Sequence, residues 1–136
     1  MSASTDVERV MFEFVDAYNH AFEDAAHEHG MSMAHACVLG RVETPRGMGE
    51  LAEELGCDAS NITQIVRRLE ARSLVLRQPD PADRRFRRIQ RTPEGEAVND
   101  AFEDSFDFPR RAVANLTPDE QQQLADLLRK ALTPPR

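Results

Sequence analysis

The chain has 136 residues, 40% hydrophobic and 30% charged, with a formal net charge of −7. That composition describes one ordinary globular domain, large enough to bury a core, and excludes a disordered chain. Cys37 and Cys57 are too few for a disulfide scaffold, no run of about 18 apolar residues encodes a membrane span, and the polar, acidic start does not read as a secretory signal, so the expectation is a cytoplasmic, single-domain protein.

Apolar residues recur at three- and four-residue steps through Val7, Val10, Met11, Phe14, Tyr18, Phe22 and Ala25. This stripe predicts a long helix over 6–29, stopped by Gly30. A second helix is expected over 32–42, capped by Ser32, and then a break at Thr44-Pro45-Arg46-Gly47. A short helix over 49–55, a turn at Gly56-Cys57-Asp58 and a helix over 59–72 capped by Asp58 make a helix-turn-helix pattern. Two strands follow, over 74–77 and 84–91, joined by a loop that holds Pro79 and Pro81. Thr92-Pro93-Glu94 starts another helix, which Pro109 ends or kinks. Thr117 with Glu120 forms a capping box for the last helix.

The charge is unevenly placed. From residue 60 to 91, nine arginines face only Glu70, Asp80 and Asp83, a local balance of +6 that leaves −13 on the rest. A basic block on an acidic frame suits a polyanion at contact distance. By charge alone, a salt-bridged surface fits as well.

The helix over 59–72 separates the two readings. At 100° per residue, Ile62, Ile65, Val66 and Leu69 share one face. Ser60, Gln64, Arg67 and Ala71 share the opposite face, flanked by Thr63 and Arg68, with Asn61 near Arg68. Glutamine suits adenine, arginine suits guanine, and Ser and Thr suit either. The face lacks Lys, and its one Glu, Glu70, lies at the edge. The candidate DNA-contacting residues are therefore Ser60, Asn61, Thr63, Gln64, Arg67 and Arg68. Arg84, Arg85 and Arg87 join them from the hairpin, where an arginine suits a narrow minor groove. Asp80 and Asp83 are expected to pair with the arginines of the run Arg84-Arg85-Phe86-Arg87-Arg88 and fix their direction, and Phe86 to anchor the hairpin to the body.

These residues resemble the MarR-type transcriptional regulators. The most specific stretch is Asp80-Pro81-Ala82-Asp83-Arg84-Arg85, followed by Ile89 and Thr92-Pro93-Glu94-Gly95. Ser60-Asn61-Ile62-Thr63 and Leu69-Glu70-Ala71-Arg72 are similar to the family's recognition helix, and the terminal helices match its arrangement. Two positions depart: Ser73 stands where a Gly commonly closes the recognition helix, and Arg91 where an apolar residue usually precedes Thr92.

The resemblance implies a mainly α fold with a small β-hairpin wing. It makes 1–136 a single domain, with 31–95 as the winged helix-turn-helix DNA-binding region and 1–30 and 96–136 as a helical dimerisation region. It implies a homodimer on double-stranded DNA. It further implies a ligand-responsive repressor, released from DNA by a small and often aromatic effector. The residues support the dimer independently, since the terminal helices carry more apolar surface than a three-helix winged domain buries. Two-fold symmetry then gives a near-palindromic operator with half-sites about one helical turn apart.

Other readings lead elsewhere. A winged module docking an acidic protein partner is the competitor from another class. A redox-sensing regulator using Cys57 or Cys37 is another; Cys57 precedes a helix start, where a thiol pKa falls. His20, Asp24 and His27 have ligand chemistry but share the side of Glu13 and Asp16, opposite the apolar stripe, so no metal site is expected. Met31, Met33, Met48 and the phenylalanines are candidates for an effector pocket, though plain core explains each one better. No phosphate loop, nucleophile elbow or paired His-Glu motif is present, so neither an enzyme nor a cofactor is expected.

Overall fold

The computed structural model describes residues 5–135. They fall into two compact units, one ending at Phe106 and one starting at Asp107. The first holds α1 (Asp6–Glu28), α2 (Met33–Arg41), β1 (Arg46–Gly47), α3 (Met48–Leu55), α4 (Ala59–Ala71), β2 (Val75–Pro79), β3 (Arg87–Arg91) and α5 (Pro93–Ser105). The second holds α6 (Phe108–Ala114) and α7 (Pro118–Leu132).

The expected caps form. Ser32 Oγ accepts from the His35 amide, Asp58 from Asn61, Thr92 from Gly95 and Thr117 from Glu120. Three helices end alike. After α1, α3 and α4 the chain turns through left-handed backbone at Gly30, Gly56 and Ser73, with φ of 70°, 65° and 61°. Behind Ser73, the Leu74 amide donates to Leu69 O at 3.0 Å and the Ser73 amide to Glu70 O at 2.9 Å. Paired bonds of this kind satisfy the last carbonyls of a helix. Ser73 thus does the work of glycine while carrying a Cβ.

Three expectations need correction. The break at 44–47 contains β1, which pairs antiparallel with β3 through Arg46↔Ile89 and Gly47↔Arg88. The sheet is therefore three-stranded, in the order β1-β3-β2. Pro79 is the last residue of β2 and opposes Arg87, so the connecting loop is 80–86 and Arg84 and Arg85 belong to it. A proline is admissible there because β2 is an edge strand. Pro109 neither ends nor kinks α5, which stops at Ser105; it sits in the first turn of α6, where no amide hydrogen is needed.

The core of the first unit lies where α1, α2, α3, α4 and α5 meet the sheet. Leu39, Leu51, Ile62, Leu69 and Ile89 are fully buried, with Ala25 and Ala26 from the end of α1 and Phe102 from α5. Tyr18 and Phe22 of α1 pack edge-to-face on Phe106 at 5.1 Å each, and Phe22 on Phe102 at 5.0 Å. His29 Nε2 bonds Ser105 Oγ at 3.0 Å, a second tie between α1 and α5. The other end of α1 is different: Val7, Val10, Met11, Phe12 and Val15 are exposed. In the second unit, α7 exposes Leu127, Leu128 and Leu132.

Candidate nucleic-acid interface

α4 is fixed from its buried side. Ile62, Ile65, Val66 and Leu69 are buried, while Ser60, Asn61, Gln64, Arg67, Arg68 and Ala71 are exposed. Its start is held by Asp58, which accepts from the Asn61 amide and from Ser60 Oγ, both at 2.8 Å. The Asn61 amide first, and then the Ser60 hydroxyl, hold the Asp58 carboxyl below the usual range. Ser60 therefore faces outward with its proton already donated. Thr63 is half-buried and its hydroxyl donates to Ala59 O at 2.8 Å, which leaves it an acceptor only. Gln64 and Arg67 make no side-chain hydrogen bond or ion pair among the described residues, so their full donor sets face solvent.

Arg72 is the residue the sequence pattern missed. Its guanidinium donates to Gly30 O and His29 O, both at 3.0 Å, and closes the end of α1 against the end of α4. Its partners are more than forty positions away, so no local signal marks it.

The wing loop is built on two acids. Asp83 accepts from Arg85 Nη2 at 2.9 Å, from Arg85 Nε at 3.1 Å and from the Arg85 amide at 3.1 Å. Asp80 accepts from Arg88 Nε at 2.9 Å and from the Ala82 amide at 2.8 Å. The Ala82 amide and the Arg88 guanidinium hold Asp80 below the usual carboxylate range, and Arg85 does the same for Asp83. Both acids thus stay charged and paired, Asp83 with Arg85 and Asp80 with Arg88. Arg84 and Arg87 are exposed and have no acidic partner among the described residues. Arg91 behaves in the opposite way: its side chain is 6% exposed, with Nε 3.2 Å from Glu96 Oε2, and adds nothing to the outer basic surface.

Phe86 does not anchor the wing. It is 63% exposed, and it borders a recess of about 440 Å3 shared with Met48, Arg77, Asp80, Arg85 and Arg87. The loop is instead fixed by its backbone: the Asp80 amide donates to Phe86 O at 2.9 Å and the Phe86 amide to Asp83 O at 3.1 Å.

The remaining candidates sort as follows. His20 is exposed and bonds the Asp16 carbonyl through Nδ1 at 2.8 Å; Asp24 and His27 are exposed too. Met31 is core, and Met48 packs partly against it. Burial pushes the Cys37 thiol up, against the opposing pull of Arg41, and a thiol kept protonated is a poor nucleophile.

A helix-turn-helix whose second helix exposes a polar face, followed by a sheet with an arginine-tipped loop, defines a winged helix-turn-helix protein. The MarR family model matches residues 43–86. YkoM of Bacillus subtilis (strain 168), an uncharacterised HTH-type transcriptional regulator, is 30% identical over 87% of this chain and 78% of its own length. The HTH-type transcriptional repressor NicR of Pseudomonas putida is 41% identical over 48% of this chain and 41% of NicR. Among solved structures, CouR from Rhodococcus jostii RHA1 bound to p-coumaroyl-CoA superposes with a TM-score of 0.80 at 26% identity, covering 100% of this chain and 98% of CouR. The chain belongs to the MarR family. It is a DNA-binding transcriptional regulator and not an enzyme. No helix among the described residues is long and apolar enough to cross a membrane.

Proposed function

We propose that this protein is a ligand-responsive repressor that binds a near-palindromic operator as a homodimer. In this reading α4 lies in the major groove, with Gln64, Arg67 and Arg68 at base edges and Ser60, Asn61 and Thr63 at its leading end. Arg84, Arg85 and Arg87 lie along the adjacent minor groove, with Arg85 oriented by Asp83 and the base of the loop held by the Asp80–Arg88 pair. The observation that carries it is the pairing pattern of the basic block: the acids hold Arg85 and Arg88, and the uncompensated charge is left on the outer surface of α4 and the wing. Such a surface suits phosphate contact and groove reading.

The region 31–95 is proposed as the DNA-binding part, and 1–30 with 96–136 as the dimerisation part. The exposed apolar side of α1 and, separately, that of α7 support this, because contiguous apolar surface of this kind marks an association face. NicR is named a repressor and CouR is bound to p-coumaroyl-CoA, which supports repression and an aromatic small-molecule effector here. A regulator of this kind works in the cytoplasm.

The test is to incubate the protein with fragmented DNA of its source genome and sequence what it retains. A few near-palindromic sites are expected, lost in the Arg84→Ala/Arg85→Ala double variant. Retention without sequence preference would overturn the operator reading. Association with an acidic protein, and none with duplex DNA, would favour the docking module instead.

A further inference from the structure

The family reading leaves Phe86 unexplained. Among the described residues it is the one large apolar side chain between positions 19 and 112 that stands so exposed. Its exposure is not that of a loose tip, because the backbone is pinned on both sides, amide to Asp83 O and carbonyl to the Asp80 amide. The backbone that carries the ring is thus held in place, between Arg84 and Arg87, the two wing arginines without acidic partners among the described residues.

Charge decides what covers it. The two wing acids are already paired, so the surface around Phe86 carries unbalanced positive charge and selects a polyanion. A minor groove about 6 Å wide admits a loop carrying one ring, where it excludes a helix. Apolar side chains that enter this groove do so between base steps, at a cost lowest for flexible pyrimidine–purine steps.

We infer that Phe86 enters the minor groove as an apolar wedge beside Arg84, bends the duplex there and gives the wing a preference for easily unstacked steps. The inference rests on the DNA-binding reading above and adds a source of specificity that arginine contacts do not supply.

The experiment uses the intact protein and a duplex selected by it from a random pool. Affinity is measured at several salt concentrations, bending by energy transfer between labelled ends, and unstacking by 2-aminopurine placed under the wing. Phe86→Ala should weaken binding about ten-fold, as an unstacking contact of this size does. It should also straighten the duplex, quench the 2-aminopurine signal and flatten base preference at the wing positions, with the salt slope unchanged. Phe86→Leu should keep most of the bend. Arg84→Ala should do the reverse of Phe86→Ala, lowering the salt slope by about one while leaving base preference intact. A Phe86→Ala protein that binds, bends and selects as the wild type does would overturn the wedge alone. A wild-type protein that selects no duplex would overturn the DNA reading and the wedge with it.

Discussion

Gly95 stands against the backbone of Leu74 with no room between them. A Cβ at Gly95 would lie 2.9 Å from the Leu74 carbonyl carbon and closer still to its oxygen. The start of α5 reaches this depth because the Thr92 amide donates to the same carbonyl at 3.1 Å. Gly95→Ala cannot be absorbed by a rotamer change, since the obstacle is backbone. It should destabilise the protein by about 3 kcal/mol or more, the upper range of overpacking. Urea denaturation followed by circular dichroism measures it, and a loss under about 1 kcal/mol would show that α5 can slide.

Ser73 offers the opposite change. Its φ of 61° costs a residue with a Cβ energy that glycine avoids, and its side chain is exposed. Ser73→Gly keeps both backbone bonds at the end of α4 and should stabilise by about 1 kcal/mol. Thermal melting of the two proteins decides the sign.

The two halves of the basic block should respond differently to mutation. Gln64 reaches out from α4 with a free amide, so Gln64→Ala should relax preference at one base position at a cost of about 1–3 kcal/mol. If the selected motif is unchanged, another residue of α4 reads that position.

His35 makes the start of α2 sensitive to acid. Its Nδ1 accepts from the Ser32 amide at 3.2 Å, which requires the neutral ring. Burial first, then the nearby charges of Arg68 and Arg72, hold its pKa below the ordinary 6.5. A lowered value in the folded state means that the unfolded chain takes the proton more readily. The stabilising contribution is complete above 6.5 and is lost as pH falls from there through the lower folded value. Glutamine at this position can also reach back to the cap amide. His35→Gln should therefore show a smaller drop in urea midpoint than the wild type between about pH 7.5 and 5.5. Equal drops would place the sensitivity at another histidine.

What was legible in the sequence was what short-range chemistry writes there. Caps announce themselves within four residues, so Ser32, Asp58, Thr92 and Thr117 were readable, and so was the phase of α4, since four apolar positions fix it. Long-range pairing left no such mark. A two-residue strand has no period, and β1 exists only because Ile89 and Arg88 lie opposite Arg46 and Gly47. The tie from Arg72 to His29 and Gly30 is equally silent. Phe86 misled for a related reason. An aromatic residue in a charged run reads as an anchor when its surroundings are unknown, and here the backbone anchors the loop instead. Pro109 carried two meanings, helix end or helix start, and only the backbone distinguishes them.

Thr92 joins three parts of the chain at one residue. Its amide holds Leu74 O, its hydroxyl donates to Ser73 O at 2.6 Å and accepts from the Gly95 amide at 3.0 Å. Ser73 and Leu74 follow directly on Arg72, the residue that caps α4, and Gly95 lies in the first turn of α5. The joint has no slack, because Gly95 already touches the backbone it would have to pass. The end of α4 and the start of α5 therefore meet at one tight corner, and a single threonine makes all three of its bonds.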